Sequence, residues 1–205
     1  MSQQVHRQRE IIDRRSIGTS LEALAADAAE PPRVKVVATL REALQQGRAE
    51  LRRRFEAGDS GAETVRGLSF LMDQLIRALY DFVGSHVYPL ANPTSGEHMA
   101  VVAVGGYGRG ELAPYSDIDL LFLLPYKSTP HTEQVVEYML YVLWDLGLKV
   151  GQATRSIEET LRQAKADLTI RTAVLEARYI WGDQKLFLDL KRRFRSANSS
   201  WSPQM

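Results

Sequence analysis

Two aspartates, Asp117 and Asp119, flank Ile118 at the head of an apolar run, residues 120–124, and begin ten residues after a glycine pair, Gly105 and Gly106. In an extended strand side chains alternate faces, so both carboxylates point to one side and Ile118 and Leu120 to the other. At about 3.3 Å per residue the two acids lie roughly 7 Å apart and can lean toward a single point. Unpaired, they would repel each other and hold one carboxyl protonated. A hard divalent cation resolves the conflict, because Mg²⁺ takes one or two carboxylates and fills its shell with water and substrate phosphates. Gly105 and Gly106 supply the complementary half. They permit positive φ and let a ligand approach main-chain N–H groups, for which phosphate is the natural candidate.

The elements that must hold these residues are short. Residues 99–104, Met-Ala-Val-Val-Ala-Val, are too few and too Val-rich for a helix and read as a buried strand that Gly105-Gly106 ends. Residues 120–124 form a second strand. Other phosphate motifs fail on the same glycines. Gly105 and Gly110 have Walker A separation, but Glu111 and Leu112 stand where Lys and Ser/Thr are required, and Glu111 would repel phosphate. Gly108, Gly110 and Ala113 fit the dinucleotide fingerprint, yet that turn does not lead directly into an Asp-x-Asp strand. A kinase loop would need a lysine strand, H-R-D and D-F-G motifs that the sequence lacks.

Apolar-Gly-Gly, ten residues, then Asp-apolar-Asp-apolar resembles the signature of the DNA polymerase β-type nucleotidyltransferase superfamily. The wording G-G-Y-G-R-G-E-L-A-P-Y-S-D-I-D-L-L is similar to one branch, the bifunctional uridylyltransferase/uridylyl-removing enzymes that modify the PII nitrogen-signalling protein. The likeness continues through residues 144–160 and 166–183 and so covers the second half of the chain. It implies an α+β fold, with a small mixed β-sheet of nucleotidyltransferase type, flanking helices and an N-terminal helical hairpin. It also implies Mg²⁺-dependent transfer of UMP from UTP to a tyrosine of PII. Asp117 and Asp119 would be catalytic and hold the metal, Gly105 and Gly106 would bind the nucleotide, and Arg109 and Ser116 are candidates for the phosphates. Arg109 is open to pairing with Glu111 or to solvent, and Ser116 to a turn.

At 205 residues, with 44% hydrophobic and 25% charged, the chain has a globular composition sufficient for one domain or one plus an appendage. Its 26 basic and 25 acidic residues nearly cancel, which gives no general case for nucleic-acid or membrane binding. No cysteine is present, so disulfides and thiolate metal sites are excluded. With no apolar run of membrane-spanning length and no signal-peptide core, a cytoplasmic location is expected.

Four segments are expected. Residues 1–32, polar and then Ala-rich, read as a flexible N-terminal arm or marginal helix ending at Pro31-Pro32. Residues 33–93 hold a helical hairpin, with helices over 36–57 and 62–88 around a turn at Gly58-Asp59-Ser60-Gly61. Residues 94–195 form the nucleotidyltransferase core: a buried helix over 132–146, a third strand over 148–154, a capping box at Ser156 and Glu159, a helix capped by Asp167 reaching Tyr179, and a helix over 185–194. Residues 196–205 read as a disordered tail.

Two features depart from the resembled family. Polymerase β-type enzymes generally carry a third carboxylate on a later strand, but residues 148–155 contain no acid, and Asp145, Glu158 and Asp167 are the stand-ins. Lys149 and Arg155 could face phosphate but read more simply as solvated strand residues. The family's His-Asp phosphohydrolase (HD) and paired ligand-sensing (ACT) domains are not expected in this polypeptide, since His6, His86, His98 and His131 are scattered with no His-Asp pair. A non-catalytic nucleotide-binding or interaction module of the same fold is the alternative.

Overall fold

The computed structural model describes residues 7–26 and 33–198. The expectations for residues 1–6, 27–32 and 199–205 lie outside the described residues. The chain is α+β and divides into two compact units. One takes the described residues up to Ala91 together with Gly110–Ile118 and Val135–Val150. The other takes Asn92–Arg109, Asp119–Gln134 and the described residues from Gly151 onward.

The helical unit opens with α1 (Gln8–Ile11), α2 (Arg14–Ala26), α3 (Arg33–Glu56) and α4 (Gly61–Phe82). The expected hairpin is present: α3 packs on α4. Ser60 opens α4 with a reciprocal capping box, its Oγ accepting from the Glu63 N–H while its own N–H donates to Glu63 Oε2 at 2.8 Å. Of the two alternatives for the N-terminal residues, arm or helix, residues 7–26 take the helical one. They are largely helical, and Ile11, Ile12, Ile17 and Leu21 are buried, with α2 packed on both α3 and α4. Charged residues interleaved with those few aliphatics mask the pattern in sequence, and tertiary packing stabilises helices that are marginal alone. The single helix expected to reach residue 88 instead passes at Val83–Val87 into a π-helical turn.

The second unit is built on a four-stranded sheet. It contains β1 (Ala100–Ala103), the short α5 (Gly105–Gly108) and β2 (Ile118–Leu124). After α6 (Pro130–Asp145), which from Val135 onward belongs to the helical unit, come β3 (Val150–Ser156), α7 (Ile157–Ala166), α8 (Leu168–Leu175), β4 (Arg178–Gly182) and α9 (Gln184–Asn198). Strand order is β3-β2-β1-β4, with β1 antiparallel to both neighbours. Every residue of β1 is buried, as its run of Ala and Val requires. Ala100 and Val102 with Leu121 and Leu123 form one core face, covered by Ile157 of α7 and Leu190 of α9.

Several local expectations shift. The helix expected to reach Tyr179 stops at Leu175, and Arg178–Gly182 becomes β4, whose Tyr-Ile-Trp centre suits a strand once β1 offers an open edge. The third strand lies two residues later than expected. Ser156 caps α7, but Glu159 accepts from Gln163 Nε2 at 3.0 Å, and no reciprocal bond to Ser156 closes a box. Asp167 caps α8 as expected, accepting from Thr169 and Ile170 N–H at 2.7 and 3.2 Å. α9 continues through Asn198, past the expected start of the tail. No helix among the described residues is long and apolar enough to cross a membrane.

Candidate active site

Chain order builds the site. β1 runs into Gly105, whose φ of +60° turns the backbone into α5 at a cost that only glycine avoids. The Val104 N–H then donates to the Asp119 carbonyl at 3.1 Å, which fixes the glycine turn beside β2. Asp119 shares parity with Leu121 and Leu123, so its side chain continues the row that packs against α7 and α9. Beyond the edge of that core the row meets a cavity of about 410 Å³, lined among others by Gly105, Asp119, Gly151, Arg155, Thr172 and Glu176.

The Asp119 carboxylate lies between two glycines. A Cβ built on Gly105 would sit 3.2 Å from Asp119 Oδ2, and one on Gly151 would collide with Oδ1. Bare backbone on both sides thus accommodates the carboxylate at the cavity wall. A half-buried carboxylate beside such backbone suits a hard cation that keeps water and takes phosphate oxygens.

The other candidates are placed as follows. Gly106 is half-buried in the first turn of α5. Arg109, at the end of that turn, pairs through Nη1 with Glu176 Oε1 at 2.8 Å. Asp117 is exposed immediately before β2. Ser116 Oγ donates to the Ala113 carbonyl at 2.9 Å in the turn that contains Tyr115. Gly105 and Asp119 therefore share the cavity wall, whereas Gly106, Arg109, Ser116 and Asp117 do not line it.

No group of three or more His, Cys, Asp or Glu side chains placed to hold a metal exists among the described residues. Each stand-in for a third acid has another contact: Asp145 pairs with Arg33 at 3.2 Å, Glu158 lies 3.9 Å from Arg193, and Asp167 is a helix cap. The second carboxylate lining the cavity is Glu176, which the sequence reading did not single out. Arg155 does line the cavity, half-buried rather than solvated. Thr169 and Thr172 line it from α8, and their i, i+3 spacing was the available signal. Gly151 had no signal beyond an isolated glycine in a strand.

Residues 94–180 match a family described as a nucleotidyltransferase domain, and the four-stranded sheet with flanking helices is consistent with that likeness. Over nine tenths of its length the chain is also homologous to proteins named bifunctional uridylyltransferase/uridylyl-removing enzyme, as the sequence resemblance implied. It is 58% identical over 188 residues to that of Azospirillum brasilense, covering 91% of this chain and 20% of the relative. It is 59% identical over 193 residues to that of Rhodospirillum rubrum (93% and 21%), and 52% identical over 193 residues to that of Erythrobacter litoralis (94% and 21%). The chain spans about a fifth of the length of the curated relatives it matches.

Proposed function

We propose that this chain carries a uridylyl-transfer site: UTP binds in the cavity beside Asp119, and UMP passes to a tyrosine hydroxyl of a small PII-type protein. The tyrosine oxygen forms a bond to the α-phosphorus, the bond to the bridging oxygen breaks, pyrophosphate leaves and the hydroxyl proton goes to solvent. The observation that carries the reading is the Asp119 carboxylate held at the cavity wall against Gly105, in a chain whose relatives are named for uridylyl transfer. In this reading residues 94–195 are the catalytic core and 33–93 an accessory hairpin.

Asp119 would hold a divalent cation such as Mg²⁺, which when bound would offset the charge that develops at the α-phosphate. Gly105 and Gly106 present backbone N–H groups to the triphosphate, and Arg109, at the end of the same turn, contributes at its edge. The uridylyl group is taken from the relatives' printed name, and the PII acceptor from the family that the sequence resembles.

The test is incubation with α-labelled UTP, Mg²⁺ and a PII-type protein. Label on the acceptor, dependent on Mg²⁺, is the expected result. A second reading follows from the lack, among the described residues, of a group of three His, Cys, Asp or Glu placed to hold a metal: a nucleotide-binding module without transfer. Under it, UTP with Mg²⁺ raises the melting temperature while no label reaches any acceptor.

A further inference from the structure

Gly151 is a glycine without a backbone reason. Its φ is not positive, it lies inside β3 rather than at a turn, and it is exposed. Glycine in a strand interior gives up side-chain packing and adds conformational entropy to the unfolded chain, so its presence marks a bulge or a close approach. Here the approach is specific. A Cβ at 151 would meet Asp119 Oδ1 and, at 3.5 Å, Asp119 Cγ, and, chain neighbours aside, no other atom of the described residues within 4 Å. The entire conflict is with one carboxylate.

Gly105 stands against the other oxygen, and, its own turn aside, Asp119 is again the one contact among the described residues. The two glycines differ, however. At Gly105 the positive φ itself excludes other residues, so the close approach there is confounded with backbone conformation. At Gly151 the backbone accepts any residue, and only the carboxylate refuses one.

We propose that Gly151 is a positioning residue, whose missing side chain lets the Asp119 carboxylate lie against Gly105 at the cavity wall. The proposal rests on the reading of Asp119 as a metal ligand. Because the clash falls on the end of a rotatable side chain, a methyl group at 151 moves Asp119 and leaves the sheet in place. Gly151→Ala therefore separates stability from site function. Its melting temperature is expected to equal or exceed that of the parent, since alanine reduces unfolded-state entropy at an ordinary φ. Its cation affinity is expected to fall roughly 10–100-fold, the range seen when groups that orient a metal ligand are lost.

The experiment measures Mn²⁺ binding in the presence of UTP by electron paramagnetic resonance, for the parent, Gly151→Ala, Asp119→Asn and the double variant. Expected are weaker binding in Gly151→Ala and no additional weakening when it is added to Asp119→Asn, the non-additivity of residues acting through one contact. Equal affinity in the parent and Gly151→Ala overturns the proposal, as does a full additional loss in the double variant. If Asp119→Asn itself binds Mn²⁺ like the parent, the reading of Asp119 as a ligand fails first, and this inference fails with it.

Discussion

The Arg109 guanidinium lies 2.8 Å from the Glu176 carboxylate, which ties the turn after β1 to the residue that ends α8 in the cavity wall. Both side chains are partly exposed, so the pair itself contributes less than about 1 kcal/mol to stability. Its larger effect is on charge. Glu176→Gln removes a negative group from the cavity and releases Arg109, and UTP binding is expected to tighten by about 1 kcal/mol, roughly fivefold, with little change in melting temperature. Titration calorimetry checks this, and weaker binding would count against a phosphate role for Arg109.

Asp167 satisfies two N–H groups at the start of α8. Asp167→Ala is expected to cost about 1 kcal/mol of stability, whereas Asp167→Asn, which keeps an acceptor, costs much less. Because Thr169 and Thr172 line the cavity from α8, the alanine variant should also bind UTP more weakly. Denaturant melts and nucleotide titrations on the same samples test both effects.

These relationships differ in how far the sequence exposes them. The Gly105 turn, the Asp119 strand and the Asp167 cap are local, and each follows from residue types within a few positions. β4 was hidden because residues 178–182 become a strand only by pairing with β1, far away in the chain. The Arg109–Glu176 pair and the Gly151–Asp119 approach likewise join distant segments, and no spacing rule reaches across them. The helices over residues 7–26 were obscured for a related reason: their few buried aliphatics acquire a partner only when α3 and α4 are in place.

In the helical unit, Glu50 accepts from Arg53 at 2.8 Å and from Arg54 at 2.7 Å. The hydrogen bond from Arg53, then that from Arg54, outweighs burial and lowers its carboxyl from 4.5 to about 2. A carboxylate whose folded pKa is depressed stabilises fully above its unfolded value and loses that contribution as pH falls through the folded one. The parent should therefore melt above Glu50→Gln at neutral pH, and the gap should close between about pH 4.5 and pH 2. A gap independent of pH contradicts this.

Lys191 on α9 donates to the carbonyls of Val174, Leu175 and Ala177 at 3.2, 3.0 and 3.3 Å, and burial lowers its pKa. Lys191→Met keeps the aliphatic stem but removes the donor from these carbonyls. A loss of about 1–3 kcal/mol is expected in equilibrium unfolding, with hydrogen exchange accelerated at the end of α8.

The central claim concerns Asp119, and the most direct measurement is single-turnover transfer of label from α-labelled UTP at saturating Mg²⁺, comparing the parent with Asp119→Asn. If this carboxylate serves the reaction, transfer falls by about a thousandfold or more, equivalent to about 4 kcal/mol of barrier, while cooperative melting is retained. Transfer at the parent's rate in a folded Asp119→Asn protein contradicts the assignment.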